Sequence, residues 1–250
     1  MRRNLYIILT VVGFFIVWEL IVKLFSIPEY ILPAPFNVLL VIINNFSFLC
    51  YHSAITIIEI ILGFLLGFAV AFSITVLSHY SKYVNEVVHP ILVVLQVVPK
   101  IALAPLFLIW LGYGLIPKII ITALVCLFPI AINFKKGIDS VDQQFIDILR
   151  SVGATKTQIL KEILLPSSIP LLFSGLKIGM ALAVVGAITG EYVGATKGAG
   201  YLLEYYATMV DTPELFSALF MIIIIGLALY LLIVFLEKKI IFWQKKSIFE

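Results

Sequence analysis

The stretch VVHPILVVLQVVPKIALAPLFLIWLGYGLIPKIIITALVCLFPIAINF, residues 87–134, decides the fold. It contains two apolar runs that meet at Gly112-Tyr113-Gly114, and each run reaches the length of about 20 residues that a membrane-spanning helix needs. Two glycines within three residues favour a tight turn. The stretch therefore predicts two antiparallel membrane helices.

The rest of the chain continues this pattern. The apolar segments long enough to span a bilayer lie at residues 5–25, 54–77, 87–111, 115–134, 169–190 and 215–236. With 62% hydrophobic and 12% charged residues, and a mean hydropathy of +1.16, the composition excludes a soluble globular enzyme. We expect one all-α membrane domain of six transmembrane helices over residues 1–250, with a cytoplasmic helix-break-helix loop at 135–168.

Lysine and arginine outside the spans indicate the orientation, because they concentrate on the cytoplasmic side. One side collects Arg2, Arg3, Lys82, Lys135, Lys136, Arg150, Lys156, Lys161, Lys238, Lys239, Lys245 and Lys246. The other side holds Lys197, with Lys23 and Lys118 at its edge. Both termini are therefore predicted to be cytoplasmic. The net charge of +3 is too small and too dispersed to indicate a nucleic-acid partner.

Residues that could carry chemistry are sparse. Cys50 and Cys126 lie in different apolar segments and the histidines are scattered, so we predict neither a metal site nor a catalytic centre. No phosphate-binding GxxxxGK[ST] motif occurs, so any ATP must be hydrolysed by another chain. The alternatives to a transport subunit are a secondary transporter and a membrane-integral enzyme, but the sequence shows no inverted repeat or catalytic constellation.

The loop at residues 135–168 carries helix signals. Two hydroxyl residues are each followed three positions later by a glutamine, a pattern that starts a helix as a capping box. These pairs are Ser140 with Gln143 and Thr155 with Gln158. Gly153 lies between the two starts and suits a turn, and Pro166 is expected to end the second helix.

The first of these helices has one apolar face. Phe145, Ile148, Leu149 and Val152 recur at spacings of three and four residues. Such a face outside the membrane predicts a protein partner, and the alternative is a helix that lies on the lipid headgroups.

Residues 147–166, DILRSVGATKTQILKEILLP, resemble the EAA loop of ATP-binding-cassette (ABC) importer permeases. That loop has the pattern Glu-Ala-Ala, three residues, Gly, nine residues, Ile-x-Leu-Pro. The matching positions here are Asp147-Ile148-Leu149, Gly153 and Ile163-Leu164-Leu165-Pro166. Asp147 keeps the acid of the motif, whereas Ile148 and Leu149 replace the two alanines.

Segments elsewhere resemble the nitrate/sulfonate/taurine type of permease, a family with relatives assigned to thiamine-pyrimidine precursors. They are Trp18-Glu19, Leu32-Pro33-Ala34-Pro35, residues 62–67, residues 105–110, residues 191–194 and residues 200–203. The resemblance implies a type I importer permease in a prokaryotic cell membrane, surrounded by lipid, for a small anion such as a sulfonate, taurine or nitrate, or for a thiamine-pyrimidine precursor. It also implies a second permease copy, a dimer of ATPase subunits that binds ATP and Mg, and an extracytoplasmic solute-binding protein. This chain itself would carry no cofactor.

The resemblance also implies roles for the loop residues. Asp147 and Arg150 would make polar contacts with the ATPase, and Gly153 would form the turn. The side chains expected to be buried against the ATPase are Ile148, Leu149 and Val152. Ile163, Leu165 and Pro166 close the motif.

Charges within the spans mark a candidate pathway. Lys100 lies in a segment that prolines such as Pro99 interrupt. A charged side chain inside a membrane span is costly, so we hypothesise that Lys100 has a function. We expect it to pair with Glu59, to line the pathway, or to reach the membrane surface. Glu191, with the glycine-rich stretch at residues 194–200, is a candidate outer gate or docking surface for the binding protein.

Overall fold

A computed structural model describes the backbone of residues 2–242, with their side chains except those of 2–5, 7, 8, 82, 85, 88, 89, 92, 93, 95, 96 and 100. These residues form α-helices and one π-helical turn, without a strand in the described range. The helices are α1 (Arg2–Leu24), α2 (Pro35–Asn44), α3 (Phe46–Tyr80), α4 (Lys82–Val97), α5 (Lys100–Leu111), α6 (Leu115–Asp139), α7 (Gln143–Ser151), α8 (Lys156–Ile159), α9 (Leu165–Gly194), α10 (Ala199–Met209) and α11 (Thr212–Ile240). The π-helical turn, Leu160–Leu164, joins α8 to α9.

The chain is an all-α integral membrane protein. By length and hydropathy, α3, α6, α11 and the continuous helix Lys156–Gly194 can each cross a membrane. They coincide with four of the predicted spans. Helix α1 overlaps the first predicted span, and the third is divided between the shorter helices α4 and α5.

The division of the third span lies at Pro99. Helix α4 ends at Val97, and Val98 is extended with φ −62° and ψ 124°. The residue before a proline is disfavoured in the α conformation, because the proline ring clashes with its backbone. Pro90 and Pro105 lie inside α4 and α5 without ending them.

The turn between α5 and α6 is the one predicted from Gly112-Tyr113-Gly114. Gly112 has φ +75° and Gly114 has φ +150°. Both values lie where a side chain would be strained, which explains the two glycines.

Helix α6 lies at the centre of the bundle, between α3 and α9. On α3, a Cβ atom added to Gly63 would collide with the Thr122 side chain of α6. On α9, a Cβ atom added to Gly186 would lie 2.8 Å from Thr122 Cα. Small residues therefore allow both neighbours to approach the α6 backbone closely. Around this contact, Cys126, Ile130 and Ala183 are fully buried in the main apolar core.

Gly186→Ala is expected to lower the free energy of unfolding by about 1–3 kcal/mol, because the new methyl group must displace backbone rather than a flexible side chain. Gly226→Ala is the matched control. Its Cβ would meet only Val184, at 3.5 and 3.7 Å, which is ordinary contact. Thermal unfolding in detergent should show a lower melting temperature for Gly186→Ala alone. Equal melting temperatures for the two variants would contradict the close α6–α9 approach.

Candidate functional site

Helix α7 begins at a cap other than the predicted one. Asp142 is the N-cap, and its carboxylate accepts a hydrogen bond from Gln144 N at 2.9 Å. Ser140 instead ends α6, where its Oγ donates to Gly137 O at 2.7 Å. The predicted Ser140–Gln143 capping box is therefore wrong. Helix α6 runs on to Asp139, so the serine hydroxyl bonds to the last turn of that helix.

The second predicted capping box is confirmed. Thr155 Oγ1 accepts from Gln158 N at 3.3 Å, and Thr155 N donates to Gln158 Oε1 at 2.8 Å. This reciprocal pair satisfies two backbone donors at the start of α8.

Gly153 forms the turn between α7 and α8, as predicted. Its φ is +87°, its N–H donates to Arg150 O at 3.0 Å, and Ala154 N donates to Leu149 O at 3.0 Å. This pair of bonds is a Schellman motif, which ends a helix with a left-handed residue. No atom lies within 4 Å of the position that a Gly153 Cβ would take. The requirement for glycine is therefore conformational rather than steric.

The apolar face of α7 divides between the protein and the solvent. Phe145, Ile148 and Val152 are 64%, 61% and 76% exposed. Leu149 and Ile146 turn inward. They pack on a second core formed by Phe134, Ile138, Ile159, Leu160 and Leu164. Leu149 is half-buried and also lines an open groove with Ile163, so its expected contact with the ATPase stays a prediction.

The two polar residues of the motif lie on the outer surface of α7. Asp147 Oδ1 accepts from Gln143 Nε2 at 3.0 Å and from Arg150 Nη1 at 3.2 Å. Both members of the Asp147–Arg150 pair are more than half exposed. Such an exposed pair contributes little to stability, so both charged groups stay available to a partner.

The C-terminal part of the motif does not end a helix. Pro166 lies in the first turn of α9, and the helix continues through the π-helical turn that precedes it. Across that turn, Leu165 N donates to Leu160 O. The wider turn accommodates a proline that lacks an N–H and would crowd a regular helix. Leu165 packs on the second core, and half-buried Ile163 lines the groove beside Leu149.

Glu59 has a partner that the sequence did not suggest. Lys118 Nζ lies 2.7 Å from Glu59 Oε1, and both side chains are buried. The expected partner was Lys100, whose side chain lies outside the described part of the chain. Lys118 was assigned to the membrane edge because it closely follows the turn at Gly114, whereas its side chain reaches across to α3.

Glu191 is buried beneath the start of α10, at 1% exposure. Its Oε1 accepts from Thr56 Oγ1 at 2.7 Å and its Oε2 accepts from Gly200 N at 2.5 Å. Sequence reasoning named Glu59 on α3 but missed His52 and Thr56. His52, Thr56 and Glu59 follow one another at spacings of four and three, which places three polar residues on one face of an apolar helix. That pattern could have revealed them.

Comparisons with known proteins agree with this architecture. Residues 63–242 match the family described as binding-protein-dependent transport system inner membrane component. The formylaminopyrimidine transport permease protein ThiX of Halalkalibacterium halodurans is 33% identical over 93% of each chain. The putative aliphatic sulfonates transport permease protein SsuC of Bacillus subtilis is 28% identical, covering 91% of this chain and 83% of that one. An inward-facing structure of the MetNI methionine ABC transporter aligns with a TM-score of 0.65 at 22% identity, covering 77% of this chain and 94% of that one.

The fold and the loop define the membrane-embedded permease of an ABC importer, and not an enzyme. The chain belongs to the binding-protein-dependent transport system inner membrane component family. It is therefore a multi-pass protein of the inner membrane. The resemblance seen in the EAA-like loop is confirmed.

Proposed function

We propose that this chain forms the solute pathway of its importer together with a second, identical copy, and that α7 docks on a separate ATPase. In this arrangement α7 and both termini are cytoplasmic, ATP and Mg are bound by the ATPase alone, and an extracytoplasmic protein delivers the solute. The observation that carries the proposal is the exposed apolar face of α7, formed by Phe145, Ile148 and Val152 on a helix fixed by the turn at Gly153.

A protein partner suits this face better than lipid headgroups do. Helices that lie on membranes carry several lysines or arginines on their polar face. Helix α7 has one basic residue, Arg150, which is fewer than such a polar face carries. The polar rim of Asp147 and Arg150 around exposed apolar side chains is typical of a protein interface.

A second copy is supported by the break at Pro99. Backbone groups freed by a helix break cannot face lipid, because lipid offers them no hydrogen bond. Helices α4 and α5 also present large exposed apolar residues, including Val97, Ile109 and Trp110. A second copy that packs on these helices would cover both features.

The proposed solute is a pyrimidine-type thiamine precursor, and a small anion such as a sulfonate is the second candidate. The similarity to ThiX supports the first and the similarity to SsuC supports the second. Lys118 and Lys177, cations of α6 and α9, are each paired with a glutamate, which leaves neither charge free to attract an anion. Uptake of a labelled formylaminopyrimidine should therefore require this chain, and uptake of labelled taurine is the comparison. If removal of the chain abolished taurine uptake alone, the choice of a pyrimidine as solute would be contradicted.

The ATPase partnership can be tested by purifying the tagged chain from its native membrane in mild detergent. We expect a co-purifying protein that has the phosphate-binding GxxxxGK[ST] motif and hydrolyses ATP. Another multi-pass protein with the same tag serves as the control. Purification without any ATPase would contradict the proposal and favour a secondary transporter.

A further inference from the structure

A buried polar cluster joins four helices at the end of the bundle opposite α7. Helix α3 ends beside α8, where Tyr80 Oη lies 3.3 Å from Thr157 Oγ1, so the beginning of α3 lies at the other end. There, Glu59 from α3, Lys118 from α6 and Glu191 from α9 are all buried. The docking of α7 uses none of these residues.

The cluster holds the first turn of α10. The first backbone N–H groups of a helix have no partner within the helix and need acceptors from elsewhere. Three consecutive N–H groups here are bound by side chains of α3 and α9. They are Gly198 N to His52 Nδ1 at 3.0 Å, Ala199 N to Thr56 Oγ1 at 2.8 Å and Gly200 N to Glu191 Oε2 at 2.5 Å. Helix α10 is therefore capped by the membrane helices beneath it.

The approach of α10 to this site is close. A Cβ atom added to Gly198 would collide with the Glu191 carboxyl group, and one added to Gly200 would lie 2.8 Å from Glu191 Oε2. Gly198 also has φ +120°, which a side chain would strain. Both glycines thus bring the α10 backbone directly onto the carboxyl group.

The charges of the cluster can be counted from its contacts. Lys118 contributes one positive charge, and it pairs with Glu59 Oε1. His52 accepts a hydrogen bond at Nδ1, so that nitrogen carries no proton and the ring is neutral. Two carboxyl groups remain, those of Glu59 and Glu191, and both are buried at 1% exposure.

The balance of buried charge in the cluster requires a proton. Glu59 Oε2 is buried and receives no hydrogen bond from a described donor. Two ionised carboxylates would leave one buried negative charge without a counter-charge, whereas one proton on the pair removes that charge. With that proton, the pair carries a single negative charge, which balances Lys118.

We propose that Glu59 and Glu191 hold one proton between them, and that the resulting neutral cluster with Lys118 anchors α10 to the membrane helices. Glu191 and Glu59 are positioning residues in this arrangement. They set the place of the helix that connects the α9 and α11 spans, and they act separately from the ATPase.

The native Cys50 provides a reporter for this anchor. It packs, half-buried, against the cluster of Leu49, Leu202, Ala218 and Met221, together with Tyr201 and Tyr206 of α10. Displacement of α10 would therefore expose the Cys50 thiol. Cys126 is fully buried and is replaced in a Cys126→Ala parent, so that labelling by a maleimide reports on Cys50 alone.

Glutamine substitutions, which remove the charge of a glutamate, test how many protons the pair holds. Glu59→Gln and Glu191→Gln each leave one negative charge on the pair, so each should label within about twofold of the parent. The double variant leaves Lys118 as an unbalanced buried charge, and Glu191→Ala removes the acceptor for Gly200 N. Both should label at least about tenfold faster, the change that corresponds to 1.4 kcal/mol.

Adding Lys118→Met to the double glutamine variant should slow the labelling again, because the cluster becomes neutral. If the double variant fails to fold and this triple variant folds, the charge count is supported by that difference. Single glutamine variants that label as fast as the double variant would overturn the shared proton. A double variant or Glu191→Ala that labels as slowly as the parent would overturn the anchor.

Discussion

The double variant I148D/V152D is expected to lose ATP-driven uptake and to release the ATPase from the purified permease. Both side chains are exposed on the outer face of α7, so the chain can fold without them. At an interface, each aspartate would bury a charge where an apolar contact is lost. If both act as central contacts, at about 2 kcal/mol each, ATPase binding weakens about a thousandfold.

The measurement is the amount of ATPase that co-purifies with equal amounts of tagged permease. Gln144→Glu is the matched control, since it adds negative charge at an exposed position of the same helix and should leave the complex intact. Full ATPase recovery with I148D/V152D would remove α7 as the docking element. Loss of ATPase with the control as well would indicate a general effect of charge.

Gly153→Val is expected to lower uptake at least about tenfold while the chain stays in the membrane, because a β-branched residue is strongly disfavoured at positive φ. Gly153 has φ +87° in a turn with open space around it, so valine would meet backbone strain rather than a clash. The turn must then rearrange, and α7 loses its fixed direction relative to α8. Movement of the ATPase would no longer reach α9 efficiently.

Gly153→Asn is the control, because asparagine tolerates the left-handed conformation better than other side chains do. It should retain most of the uptake. The assay compares uptake and ATP hydrolysis at equal permease levels in the membrane. Normal uptake by Gly153→Val would contradict the role of this turn in coupling.

The sequence predicted those features that depend on local chemistry. The turn at Gly112-Tyr113-Gly114, the Thr155 capping box and the Gly153 turn each follow from conformational preferences of a few residues. The long apolar helices follow from the length of their hydrophobic segments.

Other features depend on how the helices pack, and the sequence could not reveal them. Counting residues along a helix gives depth in the membrane but not rotation about the helix axis. Glu59 was therefore matched to Lys100 by depth, whereas the rotation of α3 and α6 brings it to Lys118. Pro166 predicted a helix end, but it lies in the first turn of α9, and the helix stays continuous through the π-helical turn before it.

The two residues that replace the alanines of the EAA motif have different surroundings. Leu149 fills space against the second core, and Ile148 is exposed on the outer face. The larger side chains thus attach α7 to its own chain on one side and enlarge its apolar surface on the other. The complementary groove on the ATPase should be correspondingly deep at the position that Ile148 enters.

The most direct test of the account is a photo-crosslinking amino acid placed at position 148, compared with one at Met209, an exposed residue at the end of α10. We expect irradiation of native membranes to join the ATPase to the chain from position 148 and not from position 209. A crosslink to the ATPase from position 209, or none from position 148, would contradict the claim that α7 couples this permease to its ATPase.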